Sequence, residues 1–309
     1  MRIFIGVTAA LIVAVLAAAY VAFSKTFLSV RKKHSDLYHG TGGDMTEMKM
    51  RRREMLKRMA ELPYEDVNIT SYDGKRLHAR YYHVADGAPI AIQLHGYKSM
   101  GIRDFCGGAQ ECMQLGQNVL LVDQRAHGES DGKVISFGIK ERYDCKSWAE
   151  YAISRFGADS QVILYGISMG AATVLMASEL DLPKNVVGIV ADCPYSDIGA
   201  IIKRVCRRMK LPARLLYPLI KLSAVIYGGF NPDSASPKRA VANTKLPILL
   251  IHGEGDNFVP CYMSDEIAAA GKTVTYLKIP EATHGTSMLY DRERYMQAVT
   301  EFLEKTLKR

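Results

Sequence analysis

Three residues of the chain have the types and the context that acyl transfer requires. Ser168 stands in the motif G-I-S-M-G at 166–170, between a short apolar run and a helical stretch. In that context the two glycines permit a tight turn that presents the serine hydroxyl as a nucleophile. Asp256 follows a second apolar run, and His284 follows a third. A serine nucleophile needs a base to take its proton and an acid to hold that base in the right tautomer. The pattern therefore predicts a triad of Ser168, His284 and Asp256.

A loop after another apolar run predicts the groups that would stabilise the transition state. The sequence His-Gly-Tyr occupies 95–97, directly after the run 89–94. Acyl transfer builds negative charge on a carbonyl oxygen, and fixed N–H donors must meet that charge. We therefore assign the backbone N–H groups of Tyr97 and Met169 to an oxyanion hole. His95 is interpreted as structural, because His284 is the better candidate base.

Several neighbouring residues leave alternatives open. Asp192 and Asp197 follow another strand, so Asp192 is an alternative acid, as is Glu254 two residues before Asp256. Cys193 is interpreted as a small buried residue rather than a nucleophile. The cysteines and histidines lack zinc-ligand spacing. No phosphate-binding or dinucleotide-binding glycine pattern occurs. The expectation is that the site uses no cofactor and no metal.

The elements that must position these residues follow from the distribution of apolar runs. Two β-type runs, 66–72 and 77–84, flank Asp73-Gly74, which predicts a hairpin. Short apolar runs then alternate with helical stretches. The further predicted strands are 89–94, 118–122, 161–165, 186–190, 247–251 and 274–279. The predicted helices lie near 103–116, 138–156, 169–180, 262–270 and 289–306. This alternation indicates an α/β fold with a mostly parallel, doubly wound sheet covered on both faces. In such sheets, sites form at the carboxyl ends of strands.

The alternation is interrupted at 196–240, which we interpret as a helical cap inserted between two strands. Residues 199–221 hold seven Lys and Arg residues and no Asp or Glu. We expect the apolar side chains of this cap to face inward and its cations to face outward. A sharper hypothesis is that the cations contact anionic lipid headgroups while the apolar side lines an acyl pocket.

The N-terminal segment predicts a membrane anchor. Residues 3–23 form a run of 21 residues without a charge, enough to span a bilayer as a helix. Four cations lie between 25 and 33, so the positive-inside tendency favours a cytoplasmic body. The alternatives are a cleaved secretory signal, for which Ala17 and Ala19 supply an A-x-A pattern, and an exported body.

Charge and cysteine content exclude other classes. The net charge is +8, but it is concentrated in 24–58 and 199–221, so the chain is not a uniformly basic nucleic-acid binder. Six cysteines are too sparse for a disulfide framework and favour a reducing compartment.

The order of these features resembles the α/β-hydrolase superfamily over about residues 63–307. The loop at 95–97, the elbow at Ser168, Asp256 and His284 match it in order. The segment D-Q-R-A-H-G-E-S at 123–130 resembles the D-x-R-G-x-G-x-S turn of the family, with alanine at 126 where glycine is commonest. Within the superfamily, the chain resembles the bacterial, N-terminally membrane-anchored group labelled serine aminopeptidase-like or carboxylesterase-like.

The resemblance and the residues together predict a serine hydrolase that cleaves carboxylic esters, lipid-like acyl esters included, through an acyl-enzyme. The same triad serves a thioesterase or an amidase or peptidase, so these stay open. A non-catalytic membrane-tethered binding protein is a further alternative, whereas a dehalogenase would need Asp in place of Ser168. The predicted division is an anchor at 1–23, a basic tether and amphipathic helix at 24–62, and a hydrolase domain at 63–309. The expected partners are a small acyl ester and membrane lipid, through 3–23 and the basic cap, with no nucleic acid.

Overall fold

The computed structural model describes residues 2–29 and 47–307. The turn-forming cluster at 39–44 that the sequence places in the tether lies outside these residues. The strands are β1 (Glu65–Thr70), β2 (Arg76–Tyr82), β3 (Ile90–Leu94), β4 (Asn118–Asp123), β5 (Val162–Ile167), β6 (Val186–Asp192), β7 (Ile248–Gly253) and β8 (Val274–Ile279). The helices are α1 (Arg2–Phe27), α2 (Glu47–Glu61), α3 (Gly101–Asp104), α4 (Gly108–Gln114), α5 (Glu141–Phe156), α6 (Met169–Ala177), α7 (Ile198–Arg208), α8 (Ala213–Gly228), α9 (Pro237–Asn243), α10 (Tyr262–Ala270), α11 (Ser287–Tyr290) and α12 (Arg292–Thr306).

The eight strands form one sheet in the order β1-β2-β4-β3-β5-β6-β7-β8. β2 is antiparallel to both of its neighbours, β1 and β4. All other pairings are parallel. Every residue of β3 and β7 is buried, because helices cover both faces of the sheet. The predicted mostly parallel α/β sheet is confirmed, including the antiparallel hairpin at its edge.

Two predicted helices are each divided in the structure. The stretch near 103–116 forms α3 and α4, and the stretch near 289–306 forms α11 and α12. Gly107 lies between α3 and α4, where a Cβ would come within 2.3 Å of the Met288 methyl group on α11. The break between α3 and α4 therefore lets this region pack closely against α11. Helical periodicity alone did not reveal either break.

Helices cover the sheet in two layers. On one face, α5, α6, α9 and α10 bury a cluster that includes Trp148, Val174 and Ile267. On the other face, α2 to α4 and α12 bury a second cluster that includes Met59 and Phe302. The two layers hold the carboxyl ends of the parallel strands at one edge of the sheet.

A third apolar cluster joins the N-terminal helix to the cap. α1 continues through Phe27, four residues beyond the predicted end of the anchor. Ala19, Phe23 and Phe27 lie one turn apart on one face of α1, and all three are buried. The Phe27 ring lies 5.2 Å from that of Phe230 and 5.7 Å from that of Phe137, centroid to centroid. Residues 24–27 are thus a packed helix end.

Among the described residues, α1 is the one helix that is long and apolar enough to cross a membrane. By length and composition, a signal sequence near the N-terminus passes the same test.

The expected orientation of the cap is wrong for part of its apolar set. Ile201 and Ile202 are buried as expected, but Met209, Leu211 and Leu215 are 65%, 41% and 77% exposed. The buried face of α8 consists mainly of small residues, which let the helix approach its neighbours closely. These buried residues are Ala213, Ile220, Ser223, Ala224 and Gly228. Leu215, Leu222, Val225 and Ile226 consequently lie on its outer face.

Candidate active site

Ser168 lies in a sharp turn between β5 and α6. Its backbone has φ 56° and ψ −115°, a region that costs free energy for any residue with a Cβ. The Ser168 N–H donates to the Asp192 carbonyl over 2.8 Å, which ties the turn to the neighbouring strand. A Cβ at Gly170 would stand 1.8 Å from the Leu94 carbonyl oxygen, so only glycine lets α6 approach β3 this closely. The surrounding packing therefore holds the serine in a strained, projecting conformation.

The structure brings Ser168, His284 and Asp256 together at the carboxyl ends of three strands. His284 Nε2 lies 2.9 Å from Ser168 Oγ, and His284 Nδ1 lies 2.6 Å from Asp256 Oδ2. A carboxylate accepts hydrogen bonds but cannot donate them, so Nδ1 carries the hydrogen and Nε2 is free to accept one from the serine hydroxyl. This is the arrangement in which an imidazole can take a proton from a nucleophile.

Asp256 is buried and fully partnered. Its Oδ1 accepts the backbone N–H groups of Phe258 at 2.8 Å and Val259 at 2.9 Å. Its Oδ2 faces His284 and also lies 3.3 Å from His252 Nε2. Burial pushes the pKa of Asp256 upward, but the hydrogen bonds from His252 and His284 outweigh it and hold the pKa well below its usual range. The group is therefore an anion wherever the protein is folded near neutral pH.

The two alternative acids are placed differently. Asp192 is buried at the end of β6, where its Oδ1 accepts from Ser287 Oγ at 3.2 Å. Burial raises the pKa of Asp192 to about 6, although the charges of His252 and His284 oppose the shift. Glu254 is exposed. Asp256 is the carboxylate that contacts His284 Nδ1.

The loop at 95–97 is held by side chains that sequence reasoning missed. The Gly96 N–H donates to Asp104 Oδ2 over 2.8 Å, and the Lys98 N–H donates to His127 Nε2 over 3.0 Å. The Tyr97 N–H lies between these two fixed groups. Met169 is the first residue of α6, so its N–H is one of those that a helix leaves without an intrahelical acceptor.

His95 and His127 are buried beside each other beneath this loop, with ring centroids 4.7 Å apart. His95 Nε2 accepts the Gln124 N–H at 3.2 Å and so joins the loop to the turn after β4. Burial lowers the pKa of His127 to about 3, which keeps the ring neutral and able to accept from Lys98. His127 belongs to the 123–130 segment, the signal that could have suggested its role.

The 123–130 turn is held by a buried ion pair. Arg125 donates to Asp144 over 2.5 and 2.6 Å and to Asp73 over 3.1 Å. Ala126 has φ 65°, a conformation that favours glycine. This conformation explains why glycine is commonest at the position in the family, and the ion pair beside Ala126 supports the turn.

The end of α1 also contacts the 95–97 loop. The Tyr97 hydroxyl donates to the Thr26 carbonyl over 2.7 Å, and the Tyr97 ring lies 5.0 Å from that of Phe137. On the other side of α1, the Ile135 N–H donates to the Phe27 carbonyl over 2.8 Å. Sequence reasoning treated anchor and site as separate, and the acceptors here are backbone carbonyls that no side-chain pattern could reveal.

One group of metal-type donors among the described residues overlaps this site. The donor atoms of Cys193, Asp256 and His284 lie within 4.8 Å of one another. Burial raises the pKa of the Cys193 thiol well above its usual value, whereas a metal would need the thiolate. Asp256 and His284 already bond to each other. The group fits proton transfer better than metal binding.

A small cavity lies on the α2 side of the site. It has a volume of about 50 Å³ and is lined by Ile167 and Gly285, the neighbours of Ser168 and His284, and by methionines such as Met55 and Met288. Ligand pockets commonly measure about 300–1,000 Å³. This cavity is therefore too small to hold a long acyl chain.

Comparisons with known proteins agree with the fold. The sequence model of the serine aminopeptidase S33 family matches residues 90–243. The chain is 27% identical to the uncharacterized protein YqkD of Bacillus subtilis over 227 residues, which cover 72% of this chain and 74% of YqkD. It is 29% identical to the thiohydrolase aneE of Aspergillus aculeatus over 143 residues, 45% of this chain and 44% of that protein. An esterase of Pyrococcus furiosus superposes with a TM-score of 0.64 at 26% identity, covering 82% of this chain and 96% of the esterase.

One family membership accounts for the mostly parallel sheet, the strand–serine–helix turn and these relatives. A matched family of hydrolases and an esterase that superposes over nearly its whole length share this architecture. The chain therefore belongs to the α/β-hydrolase superfamily and is a hydrolase.

Proposed function

We propose that the protein is a serine hydrolase that cleaves carboxylic esters through an acyl-enzyme. The observation that carries the proposal is the hydrogen-bonded chain from Asp256 through His284 to Ser168, with the serine in a strained turn. His284 takes the Ser168 proton as Oγ attacks the carbonyl carbon, and returns it to the leaving alcohol. In the second half of the reaction, His284 activates a water molecule, which hydrolyses the acyl-enzyme and releases the acid.

The backbone N–H groups of Tyr97 and Met169 would stabilise the tetrahedral oxyanion. The N–H groups of Gly96 and Lys98 are bonded to Asp104 and His127, and these bonds fix the backbone on both sides of Tyr97. Preorganised donors of this kind are worth about 2.7–4 kcal/mol each in the transition state.

The direct test is labelling by a fluorophosphonate probe, which reacts with activated serines. We expect the wild type and Ser147→Ala to be labelled and Ser168→Ala to remain unlabelled. Ser147 is a matched control, because it lies on α5 and its hydroxyl bonds only to the Tyr143 carbonyl of its own helix. Equal labelling of Ser168→Ala and wild type would refute Ser168 as the nucleophile. A folded wild type that is never labelled would favour the alternative of a binding protein.

A thioesterase is the second candidate, because one relative is named a thiohydrolase. The matched family is described as a serine aminopeptidase, so amide hydrolysis is tested in the same experiment. Three substrates with the same acyl group, an oxygen ester, a thioester and an amide, separate these reactions by their kcat/KM values. We expect the oxygen ester to be preferred to the amide, and a clear preference for the thioester would replace our assignment.

We further propose that α1 anchors the protein in the cell membrane with the body on the cytoplasmic side, since cations follow the apolar run. Retention of the intact N-terminus in the membrane fraction after alkaline washing would support the anchor. Recovery of a mature protein that begins near residue 20 would instead establish a cleaved signal.

A further inference from the structure

The length of α1 limits how the body can lie against a bilayer. The apolar run 3–23 measures about 31 Å as a helix, close to the roughly 30 Å thickness of the hydrocarbon core. A helix of this length spans the core only if the whole run is immersed. Side chains described between Val7 and Ala18 are exposed, whereas Ala19 and Phe23 are buried against the body. The last turns of the span are therefore covered by protein.

The protein that covers them is α8. The Tyr227 hydroxyl donates to the Leu16 carbonyl over 3.0 Å, and the Tyr227 ring packs 5.4 Å from Tyr20 and 5.7 Å from Phe23. Leu16 to Phe23 is a stretch of about 12 Å along the helix axis. The part of α8 beside this stretch must lie at the same depth as the span.

The outer face of α8 has the composition that such a position requires. Leu215, Leu222, Val225 and Ile226 are 77%, 42%, 49% and 46% exposed, and Pro218 is exposed between them. At 100° per residue these five positions form one stripe about 100° wide, without a charge. We call this set the α8 stripe. It belongs to the helix that packs against α1, and it faces away from that contact.

The cations of α8 lie beside the stripe. By the same helical geometry, Arg214 and Lys221 share one flank of it. Lys221 is paired with Asp233, while Arg214 is exposed. Long cationic side chains at such a position reach back to the headgroup layer while their stems stay in apolar surroundings. The placement suits a helix that lies at the boundary between hydrocarbon and headgroups.

We propose that the α8 stripe is immersed in the bilayer beside α1, with lipid acyl chains as its partner. The cap is then part of the membrane-embedded surface of the protein. The inference does not depend on the proposed reaction, but it rests on the proposed anchoring of the protein by α1, together with the contacts of α1 with α8 and the exposed stripe.

The test uses the full-length protein in phosphatidylcholine vesicles whose acyl chains carry bromine, which quenches nearby tryptophan fluorescence. Leu222→Trp places a probe in the stripe. Leu115→Trp is the matched control, because Leu115 is similarly exposed, at 38%, at the end of α4. The single native Trp148 is fully buried, so its emission in the wild type can be subtracted from every variant. Ile226→Trp provides a second probe if the first variant does not fold.

We expect bromine in the acyl chains to remove most of the emission of the stripe probes and to leave that of Leu115→Trp nearly unchanged. Equal, weak quenching of all probes would overturn the proposal, since the stripe would then face water. Blue-shifted emission that bromine does not quench would also overturn it, because a second copy of the chain would then cover the stripe. Neither result bears on labelling of Ser168, and flotation of each variant with the vesicles shows separately that α1 is inserted. Failure here is therefore distinguishable from failure of the proposed reaction and of the proposed anchor.

Discussion

Replacement of Asp256 by asparagine tests whether this residue controls the tautomer of His284. The side chain keeps its shape, so the change removes the negative charge and alters hydrogen bonding without altering the packing. Two backbone donors, from Phe258 and Val259, point at Oδ1. An asparagine would therefore keep its oxygen there and turn its amide nitrogen toward His284. That nitrogen donates, so His284 Nδ1 must accept, and the hydrogen moves to Nε2.

The magnitude follows from the alternative orientation. With hydrogen on Nε2, His284 cannot take the proton of Ser168. Turning the amide around would restore the base but set an NH₂ group against two buried N–H donors, at about 1–3 kcal/mol for each lost bond. The competent orientation is then populated about 30-fold to 10⁴-fold less. We expect kcat for a nitrophenyl ester to fall by about this range, the upper end matching the effect known for the corresponding change in a serine protease triad.

The control is Asp192→Asn, the same chemical change in a neighbouring buried carboxyl that bonds to Ser287 instead of His284. We expect its kcat to stay within about tenfold of the wild type, since it leaves the tautomer of His284 unchanged. Both variants are compared at equal folded fraction, checked by circular dichroism. If Asp256→Asn kept wild-type activity, or if Asp192→Asn lost as much, the tautomer argument would be refuted.

Three further predictions concern stability. Because burial raises the pKa of Asp192 to about 6, the unfolded chain releases this proton first as pH rises from 4 to 6, and the wild type loses about 2 kcal/mol of unfolding free energy relative to Asp192→Asn. Urea unfolding at both pH values measures the difference, and a pH-independent difference would contradict it. Gly170→Ala should lose more than about 4 kcal/mol of unfolding free energy, or fail to fold, because its Cβ would meet the Leu94 carbonyl oxygen at 1.8 Å. A decrease in Tm of only a few degrees would contradict this prediction. Phe27→Ala should cost about 3–5 kcal/mol of unfolding free energy in detergent, because the side chain is fully buried. It should also reduce the turnover of a soluble ester, because the Tyr97 loop bonds to the neighbouring Thr26 carbonyl. Unchanged turnover would show that the α1 contact is irrelevant to catalysis.

The sheet could be predicted from the sequence because its strands are buried on both faces. Such strands appear as unbroken apolar runs, and the runs at 89–94 and 247–251 end within two residues of the observed strands. The candidate site could be predicted for the same reason, since chemistry-bearing residues stand where those runs end. The proximity of Ser168, Asp256 and His284 follows from the topology of the sheet.

The contacts of α1 and the cap could not be predicted in this way. The run 3–23 is apolar on all sides, so nothing in its pattern separates the buried Ala19 from the exposed Leu11. In α8, small residues rather than large ones mark the buried face, which reversed the expected orientation of Leu215. Asp104 was missed because it acts on a backbone N–H group, which carries no sequence signal, whereas the place of His127 in the 123–130 segment could have suggested its role.

The packing of α1 has a consequence for how the protein is made. Ala22, Phe23, Phe27 and Leu28 form one side of the cluster around Phe137, so the end of α1 contributes to the core of the body. These residues leave the ribosome before the body whose cluster they complete. A body expressed from residue 47 onward would present an uncovered Phe137 and a Tyr97 hydroxyl without the Thr26 carbonyl. We expect that supplying α1 as a separate peptide would restore these contacts by non-covalent association.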